Sequence, residues 1–493
     1  MGELQNAAFL NGPIDSSERM VQMFIDEFQD EFERIQSEIQ DGPIFPSVTA
    51  EEIRSYLASR YDFKKDIELD DVFVDVKRML QKWQVQVTHP RYFGLSNPSV
   101  TLASVVADTL VAMYNPQLAN WRTSPIANEI ERHTLGWLAN KFGLPANSLS
   151  TFTSGGTEAN LTAIIVALTK TFPDYGEKGL GHLSAAPTMY LTDHAHHGYY
   201  KLAHIAGLGR RSVRIVATNS DLKLDLNDLK RKVSEDRENG LAPFLVVGTA
   251  GTTVSGVIDP LPEIGEFCRE AGLWFHADAA WGGAAIISSS LRHHLAGIET
   301  ADSITCDAHK WFSVPMGAGM FLCRHPDIVS QAFRSDVTYM PVKNNTNTVD
   351  PLSSTIQWSR RFIGLKFFMS LAQNGESGHA GMIEHQAQMG HVLRGSLIAS
   401  GWRILNDTPF PLVCFTKDGL IVSELLAYLR EQQIAWMTEV KIDGTPAVRA
   451  CVTSFVTTES DIHFVVGAMN AFASHESPRN VAASALDYTG IRL

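Results

Sequence analysis

The chain has 493 residues, of which 44% are hydrophobic and 19% charged, and its formal charge is −13. That length holds one large domain with smaller satellites, each able to bury a core. The acidic balance excludes a nucleic-acid binder, which needs clustered Lys and Arg to neutralise phosphates.

No apolar stretch approaches the roughly twenty residues of a membrane helix, and the polar, then acidic N-terminus is unlike a secretory signal. Five cysteines without C-x-x-C spacing read as reduced thiols of a cytoplasmic protein, not as a disulfide framework.

Residues 16–40, SSERMVQMFIDEFQDEFERIQSEIQ, space Met, Phe and Ile at helical intervals behind a Ser-Ser pair placed to cap. The pattern continues over 49–85, which predicts a helical N-terminal segment across 1–95. From about residue 150, short apolar runs alternate with helical stretches. The runs are TMYLTD, SVRIVAT, PFLVVGTA, LWFHADAA, SITCDA and GMFLCR, and they predict βαβ units in a mostly parallel sheet. Ligands gather beyond the carboxyl ends of such strands, where Asp193, Thr249, Asp278 and Asp307–Lys310 fall. A Thr/Asn/Ser-rich stretch at 343–355 precedes a predicted helix, WSRRFIGLKFFMSLAQNG, and strand-like PLVCF and AVRACVTSF. These shifts divide the chain into a large domain at 96–355, a small C-terminal α/β domain at 356–475 and a weakly periodic tail at 476–493.

Three motifs carry chemistry. In TFTSGGTEANLTAIIVAL, the turn Ser154–Gly155–Gly156–Thr157 opens into an apolar helix. Its glycines admit close approach of an anion, and the helix N-terminus supplies N–H donors; a plain capping turn fits equally. In LWFHADAAWGG, Asp278 closes a strand with little polar company. Burying a carboxylate requires either a positive partner, such as a protonated ring nitrogen, or local backbone amides.

In DSITCDAHKWF, Lys310 stands between His309 and Trp311. Partial burial favours loss of the proton that imine chemistry requires, whereas a lysine without such a role snorkels to the surface. The DHAHH run also admits a metal reading, with His194 and His196 on one face of a strand and His197 joining them. No second ligand group has zinc spacing, so no metal is expected.

Taken in chain order, the glycine turn, TDHAHHGYYK, Asp278 and Lys310 resemble the group II pyridoxal-5'-phosphate (PLP)-dependent amino acid decarboxylases. That family includes aromatic amino acid, glutamate, cysteine sulfinate and diaminobutyrate decarboxylases, and the resemblance runs from about Thr88 to Thr457–Asp461. It implies an α/β chain of PLP-dependent transferase fold type I (aspartate-aminotransferase-like), and a homodimer with shared active sites. It makes Lys310 the lysine that bonds the cofactor and Asp278 the partner of the ring nitrogen. Ser154, Gly155, Gly156 and Thr157 match the phosphate turn, helped by His309. His196 matches the residue stacked on the ring, Thr249 one beside it, and Ala280 the small residue beneath. Tyr339, in VTYM, matches a catalytic proton donor on a loop that reaches the neighbouring site.

The implied reaction converts an L-amino acid to its amine and CO₂. Phe93 and Leu95, in YFGL, and Trp121 and Arg122, in NWRTSPIANEIE, match the substrate pocket. Arg449 matches an arginine that meets the substrate carboxylate, or else forms a structural ion pair. Arg360 and Arg361 match a structural pair. Leu95 stands where glutamate-type members carry an amide and cannot donate that bond, which favours an aromatic or large apolar substrate. Arg122 departs from the small residue of the aromatic enzymes and keeps diaminobutyrate, glutamate or cysteine sulfinate as alternatives. An aminotransferase, an aldehyde synthase and a non-catalytic paralogue are the other readings. Tyr339 opposes the synthase, and intact Lys310, Asp278 and His196 oppose the paralogue.

Overall fold

The computed structural model describes residues 14–37, 39, 42–334 and 348–475. The N-terminal segment forms helices Ile14–Ser37, Ala50–Arg60 and Leu69–Trp83. The first starts ahead of the serine pair expected to cap it. The pattern over 49–85 is two helices, not one. The earlier is opened by a capping box in which Thr49 and Glu52 satisfy each other's backbone N–H groups. Phe63, at φ 56°, then breaks the chain direction.

The central sheet has seven strands: β1 Leu149–Thr153, β2 Pro187–Thr192, β3 Val213–Val216, β4 Ala242–Thr249, β5 Trp274–Asp278, β6 Ser303–Asp307 and β7 Gly319–Cys323. Their order is β1-β7-β6-β5-β4-β2-β3. Strands β2 to β6 pair in parallel, and β7 runs antiparallel between β1 and β6. The mostly parallel sheet is therefore as expected. β1 was not among the predicted strands, because its five residues run directly into the glycine turn.

Helix Gly156–Thr171 covers one face of this sheet through Ala159, Ala163, Ile164 and Ala167, and helix Leu261–Ala271 covers the other through Leu261, Ile264 and Cys268. With both faces covered, β5 and β6 are buried along their whole length, and their polar side chains, His276 with Ser303 and Thr305, are hydrogen-bonded to one another.

A second, antiparallel sheet follows, ordered β10-β11-β9-β8: β8 Arg403–Ile404, β9 Leu412–Thr416, β10 Thr438–Ile442 and β11 Thr445–Cys451. Helix Leu365–Ala399, interrupted at Gly375 (φ 66°), serves both cores. Phe367, Ile383 and Ala387 pack in the core of the large sheet, and Met389, Leu393 and Leu397 in that of the small one.

The predicted helix over 358–364 is not formed. Arg360 instead makes a bridge to Leu118, and its guanidinium meets Glu131 at 2.6 and 2.9 Å with both groups buried. Gly364 N also donates to Glu131, so the helix starts at Leu365. Among the described residues, no helix is long and apolar enough to cross a membrane.

Candidate active site

Parallel pairing aligns the strand ends. Thr249 of β4 is in register with Asp278 of β5, and Asp278 with Thr305 of β6. Asp307 then ends β6, and Lys310 follows in a turn closed by its own N–H to the Asp307 carbonyl. The sheet thereby gathers Thr249, Asp278, Asp307 and Lys310, which are far apart in sequence, at one edge.

Asp278 is buried and surrounded by donors. Oδ2 accepts from Asn160 Nδ2 at 2.9 Å and from Tyr199 Oη at 3.2 Å, while Oδ1 accepts from Ala280 N at 3.2 Å. Burial, reinforced by Asp278, pushes the Tyr199 pKa well above the ordinary phenol value, so Tyr199 remains a donor. Ala280 lies beside Gly156, where an added Cβ would sit 3.3 Å from the alanine methyl and 2.8 Å from Asp307 Oδ2. Only glycine fits there.

Lys310 Nζ lies 3.1 Å from Asp307 Oδ2. Burial works against the lysine charge, but the carboxylates of Asp307 and Asp278 outweigh it and raise its pKa above the ordinary value. The expectation that burial would strip the proton from Lys310 is thus corrected by the adjacent acid. His309 is buried, and its Nδ1 accepts from Ala318 N at 3.2 Å. Burial lowers its pKa despite Asp307, leaving a neutral ring with its proton on Nε2. The same ring borders Gly155.

Ser154 and Thr157 are exposed at the mouth of the turn, and Ser154 donates from both N and Oγ to Glu158. His196 stands in the turn after β2, its Nδ1 accepting from Gly198 N. Burial lowers its pKa, with Asp278 opposing and Lys310 adding. His194 lies in that same turn rather than on a strand, with Nδ1 on Ser255 Oγ at 3.0 Å. The Thr249 hydroxyl is buried and has no hydrogen-bond partner among the described residues. Trp311, next to Lys310 in the chain, stacks on Trp281 at 5.3 Å, and Phe410 meets both edge-on.

The expected substrate residues fare unevenly. Phe93 is fully buried in the core of the second sheet. Leu95 is 49% exposed on the adjoining loop. Arg449 is buried, and it donates from Nε to the Thr253 carbonyl at 2.9 Å and from Nη1 to the Gly94 carbonyl at 2.7 Å. Carbonyls take the place of the carboxylate partner expected for a structural ion pair, and they fix the Gly94–Leu95 loop. Trp121 bonds to Glu129 and Asp350, and Arg122 is exposed beside it. Tyr339 lies outside the described residues.

Asn160, Tyr199 and His276 were not singled out from the sequence. Two of them were within reach of its periodicity. His276 precedes Asp278 by one strand repeat, and Asn160 lies one helical turn after Gly156, so each shares a face with a singled-out residue.

Residues 55–417 match the model of the pyridoxal-dependent decarboxylase conserved domain. The chain is 31% identical to tryptophan decarboxylase 2 of Oryza sativa subsp. japonica, over 70% of this chain and 71% of that protein. It is 30% identical to the acidic amino acid decarboxylase GADL1 of Bos taurus, over 71% and 69%. In fold it is similar to Catharanthus roseus tryptophan decarboxylase, with TM-score 0.85 at 22% identity, covering 94% of this chain and 99% of that one. The fold is thus that of the PLP-dependent type I enzymes, as expected. The chain belongs to the pyridoxal-dependent decarboxylase family and is a carboxy-lyase that removes CO₂ from an amino acid with PLP as its cofactor.

Proposed function

We propose that the substrate is an aromatic or large apolar L-amino acid, decarboxylated by a cytoplasmic homodimer in which Lys310 bonds PLP and Asp278 holds its ring nitrogen protonated. One observation carries the assignment of roles. A lysine, a buried carboxylate met by donors and an orphaned hydroxyl converge at the ends of β4, β5 and β6.

The residues fit the cofactor. The helix starting at Gly156 presents unpaired N–H groups to a phosphate, and the Nε2–H of His309 adds a donor near Gly155. Thr249 Oγ1 supplies a buried hydroxyl in want of a partner. His196 offers an aromatic face and Ala280 a small one. When bound, PLP supplies a conjugated ring that accepts the electron pair left as CO₂ departs.

The protein then does the rest. Asp278 keeps a proton on the ring nitrogen by electrostatic preorganisation. Lys310 provides the amine that is exchanged for the substrate's. Tyr339 is proposed as the proton donor on the strength of the family resemblance alone.

For the substrate, Leu95 carries the reading. Its loop is fixed by the bond from Arg449 to the Gly94 carbonyl and from Cys451 N to the Phe93 carbonyl. An exposed leucine there favours an apolar side chain and cannot donate a hydrogen bond to an acidic one. The homodimer is supported by helix Leu102–Tyr114, which exposes Leu102, Val106, Met113 and Tyr114.

A screen of CO₂ release from the twenty amino acids, diaminobutyrate and cysteine sulfinate tests the substrate. Fastest turnover of an aromatic or large apolar amino acid is expected. Fastest turnover of a charged one would overturn the assignment.

A further inference from the structure

Trp274, His276 and Asp278 occupy alternate positions of β5, so their side chains share one face of the sheet, the face covered by helix Gly156–Thr171. Ser303 of β6 is in register with His276. These residues form a continuous chain of hydrogen bonds. Trp274 Nε1 donates to Ser303 Oγ at 2.9 Å, and Ser303 Oγ meets His276 Nδ1 at 2.8 Å. His276 Nε2 meets Asn160 Oδ1 at 3.1 Å, and Asn160 Nδ2 donates to Asp278 Oδ2 at 2.9 Å.

The bond directions follow from the two ends of the chain, Trp274 and the Asn160 amide donating to Asp278. An indole N–H can only donate, so Ser303 Oγ accepts there, and among the hydrogen bonds of the described residues His276 Nδ1 is the partner left for its own proton. That nitrogen is therefore an acceptor, and the imidazole proton sits on Nε2. Nε2–H donates to Asn160 Oδ1, with Thr305 Oγ1 nearby at 3.3 Å, which turns the Asn160 amide N–H groups towards Asp278. The opposite tautomer would leave the Ser303 proton without an acceptor. It would also aim the Asn160 oxygen at a carboxylate. Burial holds the His276 pKa down at about 4, against the pull of Asp278, so the ring stays neutral and the relay keeps one polarity.

We propose that Trp274, Ser303, His276 and Asn160 form a one-directional relay that turns the Asn160 amide N–H towards Asp278 and holds that carboxylate in place, making His276 and Asn160 positioning residues for the decarboxylation. The inference rests on Asp278 as the partner of the cofactor's ring nitrogen. Losing the His276 Nε2–H leaves the Asn160 amide free to turn its oxygen towards Asp278, and losing Asn160 itself withdraws one of the two side-chain partners of Asp278 among the described residues.

The test uses the PLP-loaded enzyme with an isotope-labelled pyridine nitrogen, whose magnetic resonance shift reads its protonation, together with the PLP dissociation constant and the melting temperature. His276→Gln can place an amide N–H where Nε2–H stands, whereas His276→Asn reaches only the position of Nδ1. The expected result is a wild-type nitrogen shift and PLP affinity in His276→Gln. In His276→Asn and Asn160→Ala the shift should move towards the unprotonated value and PLP binding weaken about tenfold.

Wild-type shifts in all the variants, or equal displacement in Gln and Asn, would overturn the relay. Should His276→Asn fail to fold, Asn160→Ala decides alone. An Asp278→Asn control separates the two levels. If it leaves the nitrogen shift unchanged, the role of Asp278 itself is wrong. If it moves the shift while the His276 and Asn160 variants do not, only the relay falls.

Discussion

Lys310 Nζ lies 3.1 Å from Oδ2 of Asp307, a carboxylate buried at the end of β6 whose oxygens have no hydrogen-bond donor elsewhere among the described residues. In the cofactor-free protein this pair holds the lysine proton, and capture of PLP requires its release.

The pair gives capture a pH dependence of definite sign. The Lys310 pKa is raised in the folded protein, so the stabilisation from its charge is complete below the ordinary lysine value and is lost as pH rises through the raised one. The rate of PLP capture should therefore climb with pH into the alkaline range. Asp307→Asn should shift that profile to lower pH and remove the alkaline loss of stability in the cofactor-free protein. Stopped-flow absorbance and melting curves against pH measure both, and an unmoved profile would show that Asp307 does not control the lysine.

Asp278→Asn should fold and retain some PLP, because the amide can keep one bond to Tyr199. It cannot hold the ring nitrogen protonated, so kcat should fall by about a hundredfold or more, the scale of losing a preorganised charge. Steady-state CO₂ release at saturating PLP is the measurement, and a near-normal rate would reduce Asp278 to a structural residue.

Leu95→Gln places an amide on the exposed loop that Arg449 fixes. The ratio of kcat/KM for glutamate or cysteine sulfinate to that for the best apolar substrate should rise about tenfold, since a single polar contact discriminates on that scale. No change in the ratio would remove Leu95 from substrate selection.

Met113 and Tyr114 are 75% and 80% exposed at the end of helix Leu102–Tyr114. Charges at these positions should split a homodimer. The double variant Met113→Glu/Tyr114→Glu should sediment near the 54.3 kDa chain mass, whereas wild type should sediment at about twice that. Equal masses for the two proteins would place the interface elsewhere.

Arg360 and Glu131 form a buried bidentate pair. Glu131→Ala leaves the guanidinium buried and unpaired and should cost about 3–5 kcal/mol. Replacing both by Met should recover much of that loss. Chemical denaturation of the two variants reads the difference.

The short apolar runs were enough to find six of the seven strands of the sheet and to put Thr249 and Asp278 at strand ends with Lys310 just beyond one, because strands covered on both faces are rich in apolar residues. The glycine turn was legible for the same local reason: a strand, two residues without Cβ and an apolar helix. Family membership followed from those motifs in order.

What surrounds each residue was not legible, because partners are chosen by packing across long stretches of chain. Asn160 reaches Asp278 over 118 residues and Tyr199 over 79. Phe93 packs in the core of the second sheet. Arg360 looked helical until Glu131, 229 residues away, took its guanidinium. Burial suggested a deprotonated Lys310, and only the fold set Asp307 beside it. Sequence determined where the reactive groups fall on each element. The tertiary structure decided what charge and hydrogen bonds each of them meets, because those depend on distance in space and not along the chain.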